Sequence, residues 1–288
     1  MRDTTTAQSA LGAERLAQFR GDGFVAVRQL FGAQEIAEIR DTFMATASQG
    51  PIAGLSELEQ PLINRAVPVR YAPDDPLGFY PRMLHPHKHL DKPVGPLSMK
   101  YMLHPKIEPI LTELFMEEAV AVQSMFYFKP PQSRGQALHQ DNFYLRVKPG
   151  TCIAAWVAID DADAQNGGMQ CVPNTHSYPI QCPEQADLAE SFTSEQVPPP
   201  EGCRAEPVSL RAGDVLFFNG NVIHGSGPNR SKLRFRRAFI CHYVPLSTAE
   251  LSHWYSTPYR FNRQLLSIPT ATGGGPCGNA EDGQQAPH

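Results

Sequence analysis

The sequence predicts a mainly β protein: a double-stranded β-helix of the jelly-roll, cupin-like kind, with helices at its N-terminus and flanks. Three observations predict it. From residue 119 onward the runs AVAVQSMFYFK, QALHQDNFYLRV, TCIAAWVAID, MQCVP, EPVSL, DVLFF, NVIHG and LRFRRAFICHYV are each short and either apolar or alternating, as strands are. Turn-forming clusters such as KPPQSRG, NGG, RAGD and FNGN stand between them. Helical periodicity belongs to the chain before that point, so the later strands have to bury their apolar faces against each other as two sheets.

In chain order, LGAERLAQF at 12–20 and AQEIAEIRDTFMATA at 33–47 carry apolar residues at helical spacing, with GFVAVRQLF alternating like a strand between them. From 51 to 100 many prolines and the segment YAPDDPLGFYPRMLHPHKHLDKP break any period, which reads as loops with short helices. PKIEPILTELFME at 105–117 is a further helix with its proline near the start, where it is tolerated. The β core then runs from about 119 to 246. Residues 177–205, with VPPPEG, are too polar and proline-rich for core and are placed over one end of the barrel. Together with 55–92 they are expected to form a lid over the substrate. The tail from 269 to 288 is rich in Gly, Pro and Gln and is expected to be disordered, leaving 1–268 as one domain.

A chain of 288 residues with 41% hydrophobic content is long enough for one sizeable core. Its net charge of -4, without a run of Lys and Arg, gives no footprint for nucleic acid or a membrane surface, so the expected partner is a small molecule. The chain has no apolar stretch of spanning length, and MRDTTTAQSALGAERLAQF lacks the apolar centre of a secretion signal. Both features point to the cytoplasm. Cys152, Cys171, Cys182, Cys203, Cys241 and Cys277 form no CxxC pair and are expected as reduced thiols.

The chemistry concentrates in LHQDNFYL. Read as a continuous strand, ALHQDNFYLRV puts His139 and Asp141 on one face with Phe143 and Leu145, and Gln140, Asn142, Tyr144 and Arg146 on the other. A carboxylate aimed into an apolar barrel is costly unless it meets a cation or a hydrogen bond. A metal ion answers that cost, and so does a His–Asp pair that satisfies itself. His224, between DVLFFNGNVI and the turn-forming GSGPNRS, offers a third ligand. Two imidazoles and one carboxylate hold Fe(II) on one face and leave positions open. In LRFRRAFICHYV, Arg236 shares a face with Ala238, Ile240 and Val244, so its guanidinium is expected to point inward at a fixed anion, a carboxylate being the best match. Arg234 lies on the same face nearer the strand end and Arg237 on the other; the plainer reading is three solvated arginines at an edge. His85, His87 and His89 read as solvated or substrate-facing rather than as a second metal site.

The pieces FRGDGFVAVRQLF, QSMFYFKPP, LHQD, AAWVAIDDADAQNGGMQCVPNTH and HGSGPNRSKLRFRRAFICHY, in this order over roughly residues 15 to 250, resemble the phytanoyl-CoA dioxygenase family of non-haem iron, 2-oxoglutarate-dependent oxygenases. The resemblance implies that His139, Asp141 and His224 are iron ligands and that Arg236 and Ser226 hold the distal carboxylate of 2-oxoglutarate. It places Trp156, Gln140 and Met125 against that cosubstrate, and Lys88 too, with His87 as the alternative to Lys88. It implies Fe(II), 2-oxoglutarate and O2, and hydroxylation of an unactivated carbon of a small organic molecule, in catabolism or secondary metabolism, with CO2 and succinate as coproducts. Asp141 favours hydroxylation, or a related desaturation or cyclisation, over halogenation, because related halogenases carry a small residue there. From the residues alone, Trp156 and Met125 read equally as core, and Asn166, Gly167, Gly168, Pro173 and His176 as turn formers. Two other readings stay open: a cupin-like metalloenzyme that does not use 2-oxoglutarate, and a catalytically silent jelly-roll binding protein. Phytanoyl-CoA itself is not implied, since a fold of this kind hosts many substrates.

Overall fold

Residues 9–60, 69–255, 257–272 and 277 are described by a computed structural model. Helix α1 (Ala13–Asp22) stops at Gly23, where φ is 85° and a Cβ would lie 2.5 Å from both the His176 ring and Val222. Only glycine meets both demands. Strand β1 (Phe24–Val27) follows, then α2 (Ala33–Ala47), whose first turn is closed by the Glu35 carboxylate accepting the Gly32 N–H at 2.7 Å. Its buried face is Ile36, Ile39 and Phe43, one helical stripe.

The irregular stretch contains a hairpin, β2 (Glu59–Gln60) with β3 (Val69–Arg70), then α3 (Pro76–Phe79), β4 (Met83–Leu84) and a 3-10 turn at Pro86–Lys88. It also holds a full helix, α4 (Val94–Met102), inside the region read from sequence as loop. Gly95 and Pro96 disguise its start, yet both sit in the first turn, where proline is harmless and Gly95 packs on the His89 carbonyl. Helix α5 (Glu108–Phe115) is shorter at each end than the expected 105–117.

The barrel strands are β5 (Ala119–Tyr127), β6 (Gln136–His139), β7 (Ile153–Ala158) and β8 (Met169–Cys171), with the short α6 (Asp141–Leu145) after β6. A small hairpin, β9 (Glu184–Gln185) with β10 (Glu195–Gln196), lies in the long loop. The last strands are β11 (Glu206–Val208), β12 (Val215–Asn219), β13 (His224–Ser226), β14 (Ala238–Pro245) and β15 (Tyr259–Arg260). One antiparallel sheet of seven strands runs β1-β12-β7-β14-β5-β15, with β4 also on β5; the other runs β11-β8-β13-β6. This is the expected jelly roll. Between the sheets lie Met125, Trp156, Met169, Phe218 and Ile240, while the helices cover the outer face of the large sheet, where Phe43 stacks on Phe126 with centroids 4.0 Å apart.

Three expectations are corrected. ALHQDNFYLRV is not one strand: β6 ends at His139 because its partner β13 begins at His224, opposite it, so the ladder has nothing beyond. The chain turns instead into α6, with the Asn142 N–H bonded to the Gly220 carbonyl. Cys182 and Cys277 are not thiols but a disulfide across a sequence separation of 95, while Cys152, Cys171, Cys203 and Cys241 are free. The tail is held at its start, Ala271 donating to the Leu251 carbonyl and Leu251 to that of Pro269; the rest of the expected disordered segment, apart from Cys277, lies outside the described residues.

Phe43→Ala, which removes a fully buried ring from the helix–sheet contact, is expected to cost about 3–5 kcal/mol in urea unfolding with the fold retained. Thiol titration of the denatured protein is expected to find four groups without reductant and all six cysteines after reduction. Six groups without reductant would refute the disulfide.

Candidate metal centre

The pairing of β6 with β13 sets His139 directly opposite His224, and their ring centroids lie 4.2 Å apart. Each ring is held in the same way. His139 Nδ1 donates to the Ala137 carbonyl at 2.7 Å and His224 Nδ1 to the Val222 carbonyl at 2.9 Å. A carbonyl only accepts, so Nδ1 carries the proton on both rings and each Nε2 presents a lone pair. Asp141, at the first position of α6, brings Oδ1 to 3.4 Å from His139 Nε2 and 3.5 Å from His224 Nε2. The three ligand atoms lie within 4.8 Å of one another, all on buried residues. Burial holds His224 at about 4, far below the usual imidazole value, so it stays neutral and available as a ligand. The other carboxylate oxygen, Oδ2, meets His242 Nε2 at 2.9 Å.

A cavity runs from this triad to Arg236, walled by Met125, Tyr127, Gln136, Trp156 and Ser226. Arg236 is 1% exposed and lies over the Trp156 ring at 5.2 Å. Its Nε donates to the Gly167 carbonyl at 2.9 Å and Nη2 to Ser226 Oγ at 3.3 Å, while Nη1 is buried and has no partner among the described residues. Burial lowers its pKa to about 10, which still leaves it charged at neutral pH. Arg234 instead pairs with Asp163 at the surface, and Arg237 binds Asp160. Of the three arginines, only Arg236 enters the cavity.

The structure adds residues that sequence reading missed. Lys129, in the KPP segment read as a turn, has φ of 38°, is 4% exposed, and donates from Nζ to Ser226 Oγ at 2.8 Å. Burial and the neighbouring Arg236 hold its pKa well below the ordinary lysine range. Gly167, read as a turn former, also supplies a carbonyl to Arg236. A Cβ there would be 2.6 Å from Lys129 Cε, so glycine lets the two cations gather. Of the residues carried over by resemblance, Ser226, Trp156 and Met125 line the cavity. Gln140 does not: its amide N–H bonds the Asn221 carbonyl and its oxygen accepts from the Gln181 N–H, each at 2.8 Å, tying the long loop to the barrel. Gln140 follows His139 on extended backbone, with φ of -120° and ψ of 119°, and so points away from the ligand face. Lys88 is exposed on the 3-10 turn, and His87 is buried against Ser124 Oγ at 2.7 Å; neither lines the cavity.

The segments expected to form a lid meet each other. Arg134 joins Asp75 at 2.7 Å to the carbonyls of Leu188 and Ser191, and Arg82, ion-paired to Glu57, lies over the Phe192 ring. A second cavity between them shares Tyr127 and Arg236 with the first.

His85 is likewise depressed, to about 3, first by burial. Both His85 and His224 lie below the ordinary 6.5, so the unfolded chain protonates first as pH falls. Stability without added metal is therefore expected to decline from about pH 6.5 towards about 4, read as a falling urea midpoint. A midpoint that does not move over this window would refute the burial of these rings.

Comparison with known proteins agrees with this geometry. Residues 19–238 match the model of the family described as Phytanoyl-CoA dioxygenase (PhyH). The chain is 26% identical over 251 residues to the peroxisomal phytanoyl-CoA dioxygenase of Bos taurus, covering 83% of this chain and 70% of that protein. It is 26% identical over 160 residues to phytanoyl-CoA dioxygenase 1 of Oryza sativa subsp. japonica, covering 55% of this chain and 57% of that protein, little more than half. The fold is similar, with a TM-score of 0.60 at 22% identity over 96% of this chain and 94% of the other, to the epimerase SnoN in complex with Fe3+, α-ketoglutarate and nogalamycin RO. With the family model matched over most of its length, the chain belongs to the phytanoyl-CoA dioxygenase family.

Proposed function

We propose that the protein is an Fe(II)- and 2-oxoglutarate-dependent oxygenase that hydroxylates an unactivated carbon of a small organic molecule, with CO2 and succinate as coproducts. The observation that carries this reading is one cavity with two complementary ends. At one end His139 Nε2, His224 Nε2 and Asp141 Oδ1 converge, a donor set suited to Fe(II) with an open face. At the other end the buried guanidinium of Arg236 has an Nη1 without a partner among the described residues, which a carboxylate would satisfy. The bound metal and keto acid described for SnoN support the same assignment here.

When bound, the iron and the keto acid supply the oxygen activation that no side chain provides. The residues of this chain do the rest. Arg236 and Ser226, which line the cavity, would hold the distal carboxylate of the keto acid. Ser226 Oγ already accepts from Lys129 and Arg236, which leaves its own O–H to donate to that carboxylate. Trp156, Met125 and Ile240 wall the space between and keep water out. His242 engages Asp141 Oδ2 and would leave Oδ1, the oxygen nearer both histidines, for the metal. A retained carboxylate at Asp141 favours transfer of oxygen over halogenation.

Under anaerobic conditions, Fe(II) and 2-oxoglutarate are expected to give a visible charge-transfer band with the wild type and none with His139→Ala or Asp141→Ala, both still folded by circular dichroism. Metal bound without a band would instead favour an enzyme that does not use 2-oxoglutarate, and no metal at all a silent binding protein. Arg236→Ala is expected to raise the 2-oxoglutarate needed for half-maximal signal by about 30-fold or more, because a buried charge pair is lost, while Arg234→Ala leaves it unchanged. The reverse pattern would move the clamp to Arg234. Hydroxylation predicts a product heavier than its substrate by one oxygen atom; an unchanged mass would point to an outcome such as epimerisation.

A further inference from the structure

The cavity between the two lid segments is built differently from the one that gathers the metal ligands. Five aromatic rings wall it: Tyr71 and Tyr80 from the first segment, Phe192 from the second, and Tyr127 and Phe128 at the end of β5. None of His139, Asp141 and His224 reaches it. Four cations line it and no carboxylate does. Two of the four are answered from outside the cavity, Arg82 by Glu57 and Arg134 by Asp75. The other two, Lys129 and Arg236, are the most deeply buried, at 4% and 1% exposure. Among the described residues their side chains reach only neutral acceptors, the Ser226 hydroxyl and, for Arg236, the Gly167 carbonyl.

Buried cations are stable beside anions, and two of them call for more than one carboxylate. The keto acid of the oxygenase reading brings one distal carboxylate, on the side of Ser226, which lines the metal cavity and not this one. Lys129 lines this cavity and not the other, so the anion that answers it enters here. Burial and Arg236 push the Lys129 pKa well down, a shift that a carboxylate beside it would reverse. The walls select the rest of the ligand. A flat ring meets other rings in offset or edge-to-face contact, which an aliphatic body of the same size cannot reproduce. We propose that this cavity is a binding site, separate from the metal, for an aromatic carboxylic acid, its carboxylate on Lys129 and its ring among Tyr71, Tyr80 and Phe192.

Isothermal titration calorimetry on the full chain, without iron or keto acid, tests this with benzoate, 2-naphthoate, benzyl alcohol and cyclohexanecarboxylate. One of the two aromatic acids is expected to bind about ten-fold or more tightly than benzyl alcohol, which has the ring without the charge. It is expected to bind about three-fold or more tightly than cyclohexanecarboxylate, which has the charge without the flat ring. Lys129→Met is expected to erase the first difference and Phe192→Leu to narrow the second, both variants folded by circular dichroism. Should Lys129→Met fail to fold, Phe192→Leu and the probe series carry the test. No binding by either acid, equal affinity for either control, or unchanged binding in the variants overturns the proposal. A second measurement tells the two cavities apart: saturating benzoate or 2-naphthoate is expected to leave the anaerobic iron and 2-oxoglutarate band in place. Loss of the band would put the acid in the keto acid's position and overturn a separate site. If the wild type shows no band at all, the oxygenase reading fails, and the calorimetric contrasts, which need neither metal nor keto acid, decide the proposal alone.

Discussion

The antiparallel register that puts His139 opposite His224 is the constraint on which the site depends. Neighbouring strands bring directly opposed side chains into contact, and here the contact is between two imidazoles that would gain nothing from each other alone. Each ring returns its Nδ1 proton to the carbonyl two residues earlier in its own strand, so the strand that carries the ligand also fixes its tautomer. The same register ends the ladder at His139, and the turn that follows brings Asp141 to the rings from the start of α6. Three ligands are thus placed by one backbone decision, with little freedom left in any of them. A shift of one residue in this pairing would turn His224 out of the site.

The opposite end of the cavity obeys a different balance. Arg236 and Lys129 are both buried and share a single hydroxyl, Ser226 Oγ. Two cations with one neutral acceptor are an unfavourable arrangement in a low-dielectric interior unless an anion joins them. Burial lowers the pKa of each, and for Lys129 the neighbouring Arg236 adds to it. Gly167 makes the gathering sterically possible and its carbonyl takes one N–H, but neither supplies charge.

Much of this was legible in the sequence because the signals were chemical. A carboxylate two residues from a histidine, a later histidine and an inward arginine name their own partners; strand parity separates Arg236 from Arg237, while Arg234, of the same parity, is set apart only by its surface pairing with Asp163. The argument that placed Asp141 was less sound than its conclusion. It assumed an unbroken strand, whereas the chain turns helical at Asp141; Gln140 was carried over by the resemblance, against the strand parity that already set it on the other face. What stayed illegible depended on contacts distant in the chain. Lys129 sits in a segment that reads as a turn, and its place inside shows only through Ser226, 97 positions away. His242 lies in an apolar run and is defined by Asp141, a residue 101 positions away. The Cys182–Cys277 bond likewise has no local signal. Helix α4 was hidden for the opposite reason: local breakers at its first turn, where they do no harm, masked a regular burial pattern.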